Sequence, residues 1–532
     1  MKLLKLTCSL ILVFSLSNCS KDFLDKAPYG VATEETFYKT VEECKGAVMQ
    51  VYHRTVQLSP WQFGSRLMFS DMNSDDYENI SNPGSHMNLL ANMNADNEQF
   101  KWVWNYMYRG IYLANQTIAN IEGSSLNQED KDQFIAECKA LRGVCFWTLT
   151  TYWGEVPIIT KPLLPEEYFT QVKGSEEACW AQTEQDFIDA AAILPETYPA
   201  EEAGRVTKGG ALAMLAKSYM QQQKYEEAEP VLASIVGSSV YQLLDDFGKV
   251  WRKEGEQMSE SVWEVNHGYQ PGVVINHEDG PQGSFFAYAQ QPNSAEGGAW
   301  GTMTADLKQA FEPGDPRIIY TLLFDGDKWY TDANNVLKTQ SAQTGFSEAN
   351  YTRYGDPYQN RKYAKRREER LGTIDGNPSF GDPINYKFIR YSDVLLLYAE
   401  ALNENGKTGE AVPYVNAVRT RANNSAKIDP LREVQVYTVA PVELPMIDAG
   451  IGQSQLREKI RHERRVELAG EQWRYTDLLR WGIAGEVLQA YSAAYPTHDK
   501  GSHWQDYFVK YPVPASEITL TNGSITQNPN YR

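Results

Sequence analysis

Apolar residues recur every three or four positions along much of this chain, the spacing that gathers side chains on one face of an α-helix. Thr40 and Glu43 head the first such run in the arrangement of a capping box, and Cys44, Ala47, Val48, Val51 and Tyr52 continue it. A longer stripe, Phe134, Cys138, Leu141, Cys145, Leu149 and Tyr152, predicts a second helix. It stops at Trp153-Gly154, with Pro157 just beyond. Ala211, Leu212, Leu215 and Tyr219 form another stripe, Gln221 to Lys224 a polar turn, and Tyr225, Ala228 and Leu232 the next.

That helix–turn–helix, with small residues at the crossing, resembles a tetratricopeptide unit. A similar unit recurs at Leu395, Tyr398, Ala399, Ala401 and Leu402, then Gly406, then Ala411, Val415 and Val418. Two units far apart in sequence do not make a regular solenoid, but they predict a scaffold of stacked helix pairs. Between them the pattern breaks. Residues 268–301 carry seven glycines, three prolines and the rings Tyr269, Phe285, Phe286, Tyr288 and Trp300, the composition of long loops on a rigid frame.

At the start of the chain, Lys2 and Lys5 precede the apolar run Leu6 to Leu16. That run is shorter than the roughly 20 residues a membrane-spanning helix needs, and it fits the apolar region of a secretory signal. Ser17-Asn18-Cys19-Ser20 follows and resembles the lipobox of bacterial lipoproteins, with Asn18 in place of the usual Gly or Ala. The expected organisation is a signal peptide over 1–18, a lipidated tether over 19–32 anchored through Cys19, and one domain over 33–532 with a loop-rich insert at about 265–360. The formal net charge of −19 excludes a phosphate-binding, nucleic-acid partner. Cys44, Cys138, Cys145 and Cys179 have no metal-ligand spacing, and Cys138 and Cys145 are too far apart on one helix for a disulfide, so buried free thiols are expected.

An ordered set of short motifs resembles the SusD/RagB family of outer-membrane nutrient-binding lipoproteins. They run from Cys19-Ser-Lys-Asp-Phe-Leu-Asp through Trp104-x3-Tyr108-x2-Ile111-x2-Ala114-Asn115, Ala140-Leu-Arg142 and Tyr152-Trp153-Gly154-Glu-Val-Pro157. Asp315-Pro-Arg317, Arg390 to Glu400 and Val415 to Arg421 follow in order. The densest block holds Glu463-Arg464, Glu467, Arg474 and Asp477 to Gly482, and the chain closes on Tyr511-Pro-Val-Pro514 and Gln527 to Tyr531. Gln472 stands where the pattern normally has glycine, read as a local packing change. The resemblance implies a mostly α-helical SusD-like fold with tetratricopeptide-like pairs, no catalysis, and calcium in some members. It also implies capture of polysaccharide or oligosaccharide, or in a minority peptide, as a lid on a SusC-like TonB-dependent transporter. Arg464, Glu467, Arg474 and Asp477 are expected to be buried ion pairs that fix helix crossings.

Sugar recognition needs flat rings against the C–H face of a pyranose, with amides, carboxylates or guanidinium groups around its edge. Trp61, Arg66, Asp75 and Tyr77 offer that mixture in one stretch, and Tyr288 and Trp300 in the glycine-rich one. Trp102 and Asn105 stand three apart on a predicted helix and can share a face. Asp71-x-Asn73-x-Asp75 begins like a calcium loop, but Asp76 and Asn82 occupy the places of its glycine and glutamate. The six basic residues between Arg361 and Arg370 read as a solvated helix face. His462-Glu463 opens like HExxH, yet Val466 takes the place of the second histidine, so that zinc site is missing. A glycoside hydrolase needs only two well-spaced carboxylates; it is the minor alternative to glycan or peptide capture.

Overall fold

Local capping signals set the helical frame. The computed structural model describes residues 37–56, 67–79, 85, 88–266, 301–331, 336–339, 358–364, 372–374, 377–381 and 385–531. Helix α1 (Val41–Thr55) opens on the expected capping box, Thr40 accepting the Glu43 N–H while the Glu43 carboxylate accepts that of Thr40. α2 (Glu98–Glu122) and α3 (Gln128–Trp153) start on Asn97 and Asn127, whose side chains accept first-turn N–H groups. α3 stops at Gly154, which takes a φ of +73° that a side chain would strain. Ser175 and Thr207 cap α4 (Glu176–Ile193) and α5 (Lys208–Gln221), and α6 (Tyr225–Gly237) follows. Later in the chain come α7 (Tyr391–Glu404), α8 (Thr408–Asn424), α9 (Gln453–Glu467) and α10 (Arg474–Arg480).

Each helix from α1 to α8 packs on the next, and α9 lies across α7 and α8. The two repeat-like units, α5–α6 and α7–α8, are therefore neighbours in space, because α6 packs directly on α7. They share detail as well: α6 and α8 each take proline, Pro230 and Pro413, as their sixth residue. Glu229 of α6 clamps the α7–α8 turn, accepting from Asn405 at 2.8 Å and pairing with Lys407. A continuous apolar core extends from Cys44 to Ile525, and the four thiols in the described residues are buried and free, as expected.

Charged residues bind the helices at their crossings. Glu467 at the end of α9 accepts from Arg317 at 3.1 Å and Arg390 at 3.0 Å, and pairs with Arg421 of α8. Arg464 bridges Asp393 of α7 at 2.8 Å and Asp477 of α10 at 2.9 Å. All of these side chains are buried, in agreement with the expected structural role. His462 and Glu463 are spent likewise, the ring on the Ala310 carbonyl and the carboxylate on Arg317 and Arg419.

Short strands hold the insert to this frame. β2 (Ser261–Val265) pairs antiparallel with β4 (Tyr386–Arg390), closing its base, and β1 (Tyr77–Glu78) pairs with β3 (Thr302–Met303). Within its described part the loop-rich insert also carries short regular elements. Residues 301–331 contain β3 and the short helices Ala305–Ala310 and Ile318–Thr321, because Leu307, Ile318, Ile319 and Leu322 supply buried apolar anchors. The solvated basic helix expected from Arg361 onward is corrected. Arg361 and Lys362 lie buried in a turn, drawn inward by Asp429 at 2.8 Å and Glu471 at 2.6 Å, while residues 365–370 lie outside the described residues.

Candidate functional site

The β1–β3 pair joins the two stretches singled out for their aromatic and polar content. Tyr77 stands opposite Met303 and Glu78 opposite Thr302, so the stretch around Asn79 and the end of the glycine-rich segment at Gly301 meet at one edge. Thr304 locks the junction by donating from its N–H to the Asp76 carbonyl and from its hydroxyl to that of Asp75. Phe69, just before, packs edge-on against Phe100 of α2 at 5.6 Å, which brings the first turns of α2 alongside.

Two predicted ligand contacts turn out to be interior. Tyr77 has no exposed surface, and its hydroxyl accepts from Asn360 at 2.9 Å, leaving no ring face for a sugar. Asp75 is buried between Arg465 at 2.9 Å and Arg474 at 2.9 Å. Burial alone would raise its carboxyl pKa, but the two guanidinium groups hold it well below the usual range. Asp76 shares Arg465 and is pushed up to about 6, by burial first and by the charge of Asp75 among the rest. The calcium-like spacing is likewise dispersed. Asp71 accepts the Gln472 N–H at 3.0 Å and Asn73 donates to the Tyr511 hydroxyl at 2.7 Å. Among the described residues no group of three or more His, Cys, Asp or Glu side chains is placed to hold a metal ion.

Trp102 and Asn105 do occupy an outward face of α2, the indole half-buried and the amide exposed. Trp61, Arg66, Tyr288 and Trp300 lie outside the described residues. The outward stripe continues through Arg109 to Tyr112, both exposed. Asn105 and Tyr112 are seven residues apart, so they sit nearly in line about 10 Å apart along the axis.

Beside the stripe, sharing Tyr112 with it, a groove of about 200 Å³ lies between the next face of α2, residues 157–171 and the C-terminal segment 517–525. Tyr112, Tyr168 and Phe169 are 43%, 44% and 49% exposed there, while Lys161, Gln171 and Glu517 supply polar tips. Burial lifts the Glu517 carboxyl above its ordinary pKa. These rings were missed in the sequence; the seven-residue step from Asn105 to Tyr112 was the available signal. A second, wider cleft of about 890 Å³ lies at the root of the insert. Its side-chain amides are engaged with one another, Gln257 and Asn385 both donating to Oδ1 of Asn266 at 2.6 and 2.9 Å.

A frame of stacked helix pairs bearing an exposed stripe of rings and amides defines a helical-repeat protein of the SusD-like fold. The chain belongs to the SusD family: the family's model matches residues 215–531, and a second, described as "Starch-binding associating with outer membrane", matches residues 22–220. SusD-like protein P25 of Formosa agariphila is 28% identical over 549 aligned positions, covering 98% of this chain and 97% of the relative. A SusD-like protein of Bacteroides ovatus is 21% identical, covering 87% of this chain and 80% of the relative. Among solved structures, a laminarin-binding SusD-like protein aligns with a TM-score of 0.74 and 26% identity, over 93% of this chain and all (100%) of that one. A SusD homologue from Bacteroides thetaiotaomicron gives a TM-score of 0.76 at 23% identity, over 94% and 98% of the two chains.

Proposed function

We propose that this protein captures polysaccharide or oligosaccharide at the cell surface without altering it and passes it to a SusC-like TonB-dependent transporter. Its place is the outer membrane, held by acyl chains on Cys19. The observation that carries the reading is the outward α2 face, where an indole and an amide stand three residues apart. It lies on the same frame as the β1–β3 junction of the two ring-bearing stretches. The laminarin-binding relative and the family's starch-binding description support a glucan as the first ligand class to try.

A ring stacked on a sugar contributes on the order of 1–3 kcal/mol at most, by analogy with base stacking. Isothermal titration calorimetry with a panel of neutral glucans tests the reading. The parent binds at least one of them with the chain recovered intact, and Trp102→Ala weakens that binding about tenfold, roughly 1.4 kcal/mol. Binding of oligopeptides with no response to any glycan, or release of shortened sugars, overturns the proposal.

A further inference from the structure

The groove beside Tyr112 is not required by the helical frame, and its chemistry suits the ligand already proposed. Large apolar side chains normally turn inward when the fold allows it. Here Tyr112, Tyr168 and Phe169 leave close to half their surface in solvent around one concavity, and Leu520 is 56% exposed beside them. The neighbouring Tyr108 hydroxyl is already satisfied, donating to the Pro157 carbonyl at 2.9 Å, so the groove's floor is closed and settled. At the rim, the Gln171 amide donates to the Glu167 carbonyl at 2.9 Å, which fixes its plane, and Lys161 and Glu517 add a cation and a carboxyl. Flat rings with polar groups at their edges form a surface for pyranose rings.

Position decides the occupant. Trp102, Asn105, Arg109 and Tyr112 lie on one outward stripe of α2, and the groove runs beside it along the next face, against Trp104, Tyr108, Ile111 and Asn115, with Tyr112 common to both. About 10 Å of helix separates Asn105 from Tyr112, a span that an extended sugar chain crosses within a few units. The overall charge of −19 repels polyanionic chains, most strongly at low ionic strength. We propose that the groove is a second contact for the same glycan, so that the protein selects neutral chains long enough to reach from Trp102 to Tyr168 and Phe169. This rests on the glycan-capture reading above. Two weak contacts joined by one ligand multiply, because the second forms at the effective concentration set by the first.

The test is calorimetry of the full mature chain with a length series of one neutral glucan, from two to about ten units, and a sulfated chain of the longest length. The variants are the double substitution Tyr168→Ala/Phe169→Ala, which removes exposed rings the core does not need, and Trp102→Ala. Expected results are an affinity that climbs with length in the parent and a loss of that climb in the double variant. Its longest ligands bind at least tenfold more weakly, while the shortest bind as in the parent. Trp102→Ala weakens short and long chains alike, and the sulfated chain binds more weakly than its neutral counterpart as salt is lowered. Unchanged long-chain affinity in the double variant overturns the second contact and leaves the α2 face standing; a groove that serves a protein partner gives that same result. Unchanged affinity at every length in Trp102→Ala, with length dependence still lost in the double variant, overturns the α2 face and leaves the groove.

Discussion

Gln472 adopts a φ of +63°, a left-handed backbone that glycine takes without strain. The family pattern's glycine therefore marks a backbone need, and this chain meets it at a cost. The glutamine compensates in part: its side chain donates to the Gly470 carbonyl at 3.0 Å and accepts from the Tyr386 hydroxyl at 3.1 Å. Alanine and glycine both abolish those bonds, so comparing them isolates the strain. Urea denaturation should find Gln472→Gly more stable than Gln472→Ala by about 1 kcal/mol. Equal stabilities would mean the turn relaxes. Asp71, which accepts the Gln472 N–H, carries a second residue-scale consequence. Burial and the nearby Asp76 push its carboxyl up to about 8, so the folded chain favours the protonated form. A carboxyl raised in the folded state stabilises fully below its unfolded value near 3.8, and that contribution is lost as pH rises towards 8. Asp71→Asn mimics the protonated form and keeps an acceptor for Gln472. Its stability relative to the parent should climb between pH 4 and pH 8 by about 1 kcal/mol or more, read from denaturation midpoints across that window. A flat difference would show the carboxyl ionising freely.

At the scale of elements, α9 owes its placement to charge as much as to apolar packing. Three guanidinium groups, from the insert, β4 and α8, converge on Glu467. Burial opposes ionisation there, yet Arg421, Arg390 and Arg317 hold the carboxyl far below its ordinary range. Glu467→Gln leaves that positive charge buried with less compensation, and such losses cost about 3–5 kcal/mol. Chemical denaturation should show a fall of that size, whereas a change under 1 kcal/mol would mean that Glu260 and Glu471, also paired with Arg390, take up the load. The sequence made the helices legible because caps and stripes act over a few residues: Thr40, Glu43 and the Trp153-Gly154 stop were each readable alone. The ion pairs at Arg464 and Glu467 were legible through the family motif. The burial of Asp75 and Tyr77 was not, because it depends on β3, Arg465 and Asn360, all far away in the chain. The shared outward face of Trp102 and Asn105 was legible because a three-residue step on a helix is a local signal; that Tyr168 and Phe169 line a groove against the same helix follows only from the fold. Arg361 and Lys362 were misread for the same reason, since Asp429 and Glu471 cannot be seen from a run of basic letters.

Over the whole molecule, the contact of α6 with α7 joins a helix that ends at Gly237 to one that begins at Tyr391, across the entire insert. The helix pairs before it, from α1 to α6, are consecutive in the chain, with Tyr511 from the far end completing the ring cluster of Phe69, Phe100 and Tyr152. The entropy of closing a loop grows only slowly with its length, so the late contact costs stability little, but it delays assembly. Refolding should then be vectorial, with amides of α3 to α5 shielded from pulse-labelled hydrogen exchange before those of α7. A chain that emerged amino-terminus first would lay down α1 to α6 while the face that α6 turns to α7, and the seat that Phe69, Phe100 and Tyr152 make for Tyr511, still stood open to water.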